Sequence, residues 1–171
     1  MKRELLLGCG NSRAKKVTGS WTTPDWDNLT TLDIDPGCKP DVVHDLDVLP
    51  YPFDEDSFDE VHGYEVLEHC GQQGDWKFFF AQFHEFWRIL KPDGLFVATV
   101  PMWDSEWAWG DPGHKRIITK GSLLFLDQRE YVQIGSDSAM TDYRPWWKGN
   151  FQPFAIIEKE TAFGFILKAI K

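Results

Sequence analysis

The sequence predicts an α/β domain on a mostly parallel sheet that ends in an antiparallel hairpin. Three observations carry this expectation. The apolar run Leu5-Leu6-Leu7 leads straight into Gly8-Cys9-Gly10-Asn11. A second run, Thr30-Thr31-Leu32, ends in Asp33-Ile34-Asp35, with Asp33 25 residues after Gly8. A stretch of helical periodicity over 75–90 precedes the continuous apolar segment Leu95–Val100. Strands alternating with crossovers and a helix belong to a parallel sheet.

Taken in order, Glu4–Leu7 is the first strand. Residues 13–29 are polar, with Gly19 and Pro24 and little helical pattern, so a short or irregular crossover is expected. Thr30–Leu32 and Asp41–Val43 are the second and third strands. The two prolines of Leu49-Pro50-Tyr51-Pro52-Phe53 exclude helix and central strand there. Phe58–His62 is a fourth strand ending at Gly63. In 75–90, Trp76, Phe79, Phe80, Phe83, Trp87 and Leu90 share one helical face. Asp75 suits the N-cap, and Pro92 and Gly94 are expected to close the far end. Leu95–Val100 is a buried fifth strand stopped by Pro101. Residues 102–118 read as a tryptophan-rich loop, 119–128 as a short helix capped by Thr119, and 135–153 as irregular. Phe154–Glu160 and Ala162–Ala169 form the terminal hairpin.

A strand ending in Gly-x-Gly brings bare backbone N–H groups to a ligand, because no Cβ intervenes. A carboxylate ending the next strand is where α/β nucleotide sites hold ribose hydroxyls. The chain therefore opens as a nucleoside site. Arg13 stands where a dinucleotide fingerprint needs Gly or Ala, and no Gly-Lys-Ser/Thr follows, which excludes a P-loop.

Composition narrows the partners. The 171 residues make one domain, 1–171, large enough for a core. No apolar run is long enough to span a bilayer, and three leucines are too few for a signal-peptide core, so a cytoplasmic protein without a membrane partner is expected. A net charge of −9 disfavours nucleic acid. Three cysteines without Cys-x-x-Cys spacing give no disulfide framework or zinc cluster. The five histidines form no His-x-x-x-His pair, so no metal is expected.

Seven segments, in order and spacing, resemble the class I S-adenosylmethionine-dependent methyltransferases. They are Leu5-Leu6-Leu7-Gly8-Cys9-Gly10, Leu32-Asp33-Ile34-Asp35-Pro36, Val43-His44-Asp45-Leu46, Leu49-Pro50-Tyr51-Pro52-Phe53, Phe58-Asp59-Glu60-Val61, Val66-Leu67-Glu68-His69 and Arg88-Ile89-Leu90-Lys91-Pro92-Asp93-Gly94, covering residues 4–101. The resemblance implies a Rossmann-like methyltransferase sheet with S-adenosyl-L-methionine as cofactor. It implies that the turn Gly8, Cys9, Gly10, Asn11 meets the methionyl part and that Asp33, followed by Ile34, holds the ribose. Asp45 and the Leu46 N–H would meet adenine, with Gly63 and Tyr64 near the methyl group. Glu68-His69 reads as structural. The sequence begins almost at the first strand, which implies N-terminal helices missing from the sheet, and Ser12 replaces a common loop glycine.

The later stretch Trp109–Thr119, with Asp142-Tyr143-Arg144, resembles a narrower group of small phage and bacterial methyltransferase-like proteins. In this fold the acceptor lies beyond the strand ends, which here means residues 102–118 and 135–153. His114 is the candidate base, oriented by Asp111, although a local turn-and-cap arrangement would account for both. Tyr64 is the fallback for activating the acceptor. Trp103, Trp107, Trp109, Trp146 and Trp147 could form a stacking wall, or else pack a lid. Lys115 and Arg116 could hold an anionic group. The reading is methyl transfer to a small-molecule or glycan acceptor. Its alternative is a non-catalytic cofactor-binding or interaction protein that keeps the fold.

Overall fold

In the computed structural model, which describes residues 1–171, the apolar runs form β1 (Arg3–Leu7), β2 (Asn28–Asp33), β3 (Val42–Val43), β4 (Phe58–Tyr64) and β5 (Leu90–Pro101). The hairpin supplies β6 (Phe151–Glu158) and β7 (Ala162–Ala169). They make one sheet in the order β3-β2-β1-β4-β5-β7-β6. The pairings among β1 to β5 are parallel, and β7 is antiparallel to both its neighbours. β6 carries Pro153, which the sheet tolerates because β6 is an edge strand with a bulge beside that residue. β1 sends its successor to one side and receives β4 on the other. The strand order reverses there, and such switch points open a crevice at the carboxyl ends.

The two faces of the sheet are covered unequally. One packs against α1 (Trp76–Ile89), whose Phe80, Phe83, Phe86 and Ile89 belong to a core of 27 buried residues. Asp75 caps α1 by accepting from Phe78 N. The other face has a core of six, covered by the helix-free crossover 13–27, from which Val17, Trp21 and Trp26 pack inward. An irregular crossover was expected there. The helix ends at Ile89, just before Pro92 and Gly94, as the sequence suggested, but no loop follows it. α1 passes directly into β5, and Leu90 already pairs with Phe58. Residues 91–94 form the irregularity before Leu95 pairs with Glu60, with Asp93 at a positive φ of 64°. Beyond β5 lie the single turn α2 (Trp107–Gly110) and α3 (Lys120–Leu124), the latter closed by a Thr119–Ser122 capping box.

Candidate cofactor cavity and the cluster beside it

Gly8 and Gly10 adopt φ of +56° and +49°, which disfavours any side chain. A Cβ on Gly8 would also lie 2.3 Å from Val66 Cγ2, whereas one on Gly10 would meet nothing within 4 Å. The turn thus presents bare backbone. Its position is fixed by Cys9 N donating to Leu32 O (3.2 Å) and Gly10 N to Asp33 Oδ2 (2.8 Å). Asp33 Oδ1 accepts from Asp35 N at 2.9 Å. Each Asp33 oxygen is therefore held by one donor and keeps acceptor capacity for a ligand. Asp45 Oδ1 accepts from Asp47 N (2.8 Å), the local turn bond expected of aspartate. Ile34 is 61% exposed, an unusual position for a large aliphatic side chain beside a polar turn.

These residues surround a cavity of about 390 Å³, completed by Leu32, Leu46, His44, Asp47, Val66, His69, Cys70 and Lys115. That volume suits a drug-sized ligand. Lys115 Nζ and Asp47 Oδ2 form an ion pair at 2.9 Å. The structure thus brings together Gly8, Gly10, Asp33, Ile34, Asp45 and Leu46. Cys9, Asn11, Gly63 and Tyr64 do not line the cavity. The Cys9 side chain lies in the smaller core on the other face, and Asn11 is exposed beyond the turn. Tyr64 also points to that face. Its hydroxyl meets His62 Nδ1 at 2.7 Å and Val17 N at 3.4 Å, and burial pushes its pKa up to about 12. A base near the methyl group is therefore not found at Tyr64.

Residues 113–117 are hydrogen-bonded onto the turn after β4. Lys115 N donates to Glu68 O (2.8 Å), Gln73 N to Lys115 O (3.0 Å) and Ile117 N to Gln73 Oε1 (2.8 Å). Arg116 is buried, donating to Leu67 O at 2.9 Å and to Gln82 Oε1, so it is not free to hold an acceptor anion. His114 Nδ1 donates to Ala108 O at 3.2 Å. A carbonyl can only accept, so Nδ1 carries a proton, and in the neutral imidazole Nε2 holds the lone pair. That nitrogen lies 4.0 Å from Glu68 Oε1 and 3.9 Å from Asp111 Oδ2. Asp111 does not orient His114 by a hydrogen bond. Its Oδ1 instead accepts from Gly113 N at 2.7 Å, the turn-and-cap role. Glu68 is 2% exposed, and neither carboxylate oxygen has a hydrogen-bond partner. Burial pushes its pKa up to about 8.

The tryptophans do not form one wall. Trp147 is buried in the main core, stacked on Phe151 and donating from Nε1 to Leu126 O. Trp146 packs on Trp76. Trp103, Trp107 and Trp109 are 58%, 57% and 61% exposed.

A methyltransferase domain model matches residues 5–98, more than half of the sequence. The chain belongs to the S-adenosylmethionine-dependent methyltransferases. S-adenosylmethionine is its cofactor. No curated protein matches the sequence. Among solved structures, this methyltransferase is similar to an S-adenosylmethionine-dependent methyltransferase from Archaeoglobus fulgidus. The TM-score is 0.58 at 16% identity, over 98% of this chain and 86% of that one. It is also similar to a Burkholderia thailandensis 1,6-didemethyltoxoflavin-N1-methyltransferase bound to 1,6-didemethyltoxoflavin and S-adenosylhomocysteine. There the TM-score is 0.59 at 15% identity, over 99% and 72% of the two chains. A third is a Haloferax volcanii methyltransferase in complex with the Trm112 activator, with a TM-score of 0.56 at 16% identity over 99% and 83%. At these identities the likeness speaks for the fold.

Two groups of cavity residues escaped the sequence reading. His44 precedes Asp45 within the quoted motif and Asp47 follows just beyond it, so their proximity was legible. Val66 and His69, in a quoted segment read as structural, and Cys70 follow β4, and only the fold turns that segment toward the glycine loop.

Proposed function

We propose that S-adenosylmethionine binds in the cavity at the ends of β1, β2 and β4, and that its methyl passes to a small-molecule or glycan acceptor beneath residues 102–118. The Gly8–Gly10 backbone meets the methionyl part. Asp33 takes the ribose hydroxyls with its remaining lone pairs. Ile34 offers an apolar surface to adenine, and Asp45 and the Leu46 N–H face its polar edge. The cofactor's sulfonium supplies an activated methyl, so the protein's task is alignment and exclusion of water.

The observation that carries the acceptor reading is the composition of the 102–118 segment. Exposed Trp103, Trp107 and Trp109 sit on the same segment that Gly113 and Lys115 tie to the cavity wall through His69 and Asp47. Exposed indoles provide apolar faces against which a sugar or planar ring can lie. His114 Nε2 is the basic atom of this segment, held in its tautomer by Ala108 O. The net charge of −9 favours an acceptor that is not a polyanion. No helix is long and apolar enough to cross a membrane, and three free cysteines suit a reducing cytoplasm.

Release of S-adenosylhomocysteine, measured against panels of metabolites, oligosaccharides and nucleic acids, tests this reading. The expected result is turnover stimulated by a metabolite or oligosaccharide. His114→Ala should lower kcat while cofactor affinity holds. Stimulation by nucleic acid alone would overturn it.

A further inference from the structure

We propose that Glu68, His69 and His114 form a binding site for a divalent transition-metal cation, with Zn²⁺ the ion best matched to two imidazoles and one carboxylate. One donor atom from each residue lies within 4.8 Å of the other two. Two-histidine, one-glutamate sets with open positions bind zinc and related ions. Sequence spacing hid this set, because His114 is far from His69 in the chain. The two meet only when residues 113–117 fold back onto the β4 turn, bringing the imidazole centroids to 4.6 Å.

The state of each side chain points to a missing cation. Glu68 is 2% exposed with both carboxylate oxygens unpartnered, and buried polar groups are otherwise almost always satisfied. Facing it is Nε2 of His114, an acceptor in the neutral imidazole, 4.0 Å away. A proton on either Glu68 or His114 Nε2 would supply a donor, yet 4.0 Å is too long for a hydrogen bond to bridge. A cation bridges it: metal–ligand bonds of about 2.0–2.2 Å put two tetrahedral ligands roughly 3.4 Å apart, within a small rotation of the distance observed. Both imidazoles are also anchored from behind. His114 Nδ1 donates to Ala108 O and His69 Nδ1 to Gly113 O, each at 3.2 Å. Metal-bound histidines characteristically spend their second ring nitrogen in this way, which fixes tautomer and orientation. Asp111 Oδ2, 3.9 Å from His114 Nε2, adds negative charge at the solvent side.

A second group of similar composition shows what a closed cluster looks like. Glu4, Glu60 and His62 also lie together, but Lys15 occupies their centre and Glu60 and His62 are hydrogen-bonded. The carboxylate oxygens of that group already have partners.

His69 lines the cofactor cavity as well, so the ion would sit at its rim with positions open to water or to an acceptor oxygen. This placement rests on the methyl-transfer reading and refines it, since His114 then acts as a ligand and not as a free base. Zn²⁺ binding itself is independent of that reading.

The test is a Zn²⁺ titration of chelator-stripped protein against a chromophoric competitor, without cofactor. One equivalent should bind, and Glu68→Gln and His114→Ala should each weaken it roughly tenfold or more. His69→Ala removes a partly exposed ligand and supplies the same comparison if either buried variant fails to fold. Asp33→Ala, in the cofactor cavity, should bind Zn²⁺ as the parent does. Absence of stoichiometric Zn²⁺ binding would overturn the proposal, as would equal affinity in the folded ligand variants. Loss of acceptor turnover with Zn²⁺ binding intact would count against the methyl-transfer reading alone.

Discussion

The protein buries two carboxylate–histidine clusters and treats them in opposite ways. Under the 13–27 crossover, the parallel register sets Glu4 directly opposite Glu60, an arrangement that repels on its own. Lys15 resolves it. Its ammonium pairs with Glu4 and lies 3.2 Å from Glu60 and 2.8 Å from Thr22 Oγ1. Lys2 and His62 complete Glu60 at 2.6 and 3.0 Å, and Tyr64 completes His62 at 2.7 Å. At the end of β4, Glu68 is as deeply buried, yet neither of its oxygens has a partner. A fully paired cluster lies closed under the helix-free crossover. An unpaired cluster beside a cavity is a place held open for a ligand, at a cost in stability.

The comparison is broken most forcefully by removing the lysine. Lys15→Met leaves Glu4 buried without its ammonium and Glu60 with that of Lys2 alone, and should destabilise the fold by about 3–5 kcal/mol, read from denaturant unfolding. A loss under about 1 kcal/mol, the range of a surface pair, would mean the cluster is not closed by Lys15.

Glu68→Leu, unfolded in chelator, should move the other way and gain roughly 1–3 kcal/mol, the usual cost of an unsatisfied buried polar group. Destabilisation of that size would show that Glu68 has partners in solution.

A smaller effect sharpens the contrast through pH. Burial opposes ionisation of Glu60, but hydrogen bonds from His62, Lys2 and Thr22 and the Lys15 charge outweigh it and hold its pKa below the ordinary 4.5. Burial, opposed by Glu60, holds His62 below its ordinary 6.5. Both groups take up protons more readily in the unfolded chain, so both contributions are complete at high pH and are lost on acidification. Stability should begin to fall below about pH 6.5 and fall again below about 4.5. His62→Phe should flatten the upper part in urea midpoints taken across pH, and an unchanged profile would exclude His62 as its source.

Much of the fold was legible because its signals are local. The leucines of β1, the aromatic face of α1 and the run 95–100 each show their period within one element. The cavity residues Gly8, Gly10, Asp33 and Asp45 were legible because the turn chemistry fixes residue type. What escaped depends on sheet parity or on distant contacts. Tyr64 shares a face with Glu60 and His62 because side chains alternate along β4, and that face is turned away from the cavity. Trp147 resembled the exposed tryptophans in sequence and became core because β6 brings Phe151 beneath it. His114 and Glu68 meet only through hydrogen bonds between segments far apart in the chain. Pro92 and Gly94 marked the end of the helix correctly, but not that Leu90 already pairs with Phe58, which makes 91–94 a bulge inside β5 and not a loop before it.

The central claim is that the cavity at the glycine turn binds the cofactor through Asp33. Isothermal titration of S-adenosylhomocysteine into the parent and Asp33→Ala tests it most directly. The account predicts one site in the parent and a loss of about 1.5–3 kcal/mol in the variant, roughly 10- to 150-fold in Kd. Absence of binding to the parent at millimolar ligand, or equal affinity in a folded Asp33→Ala, would contradict it.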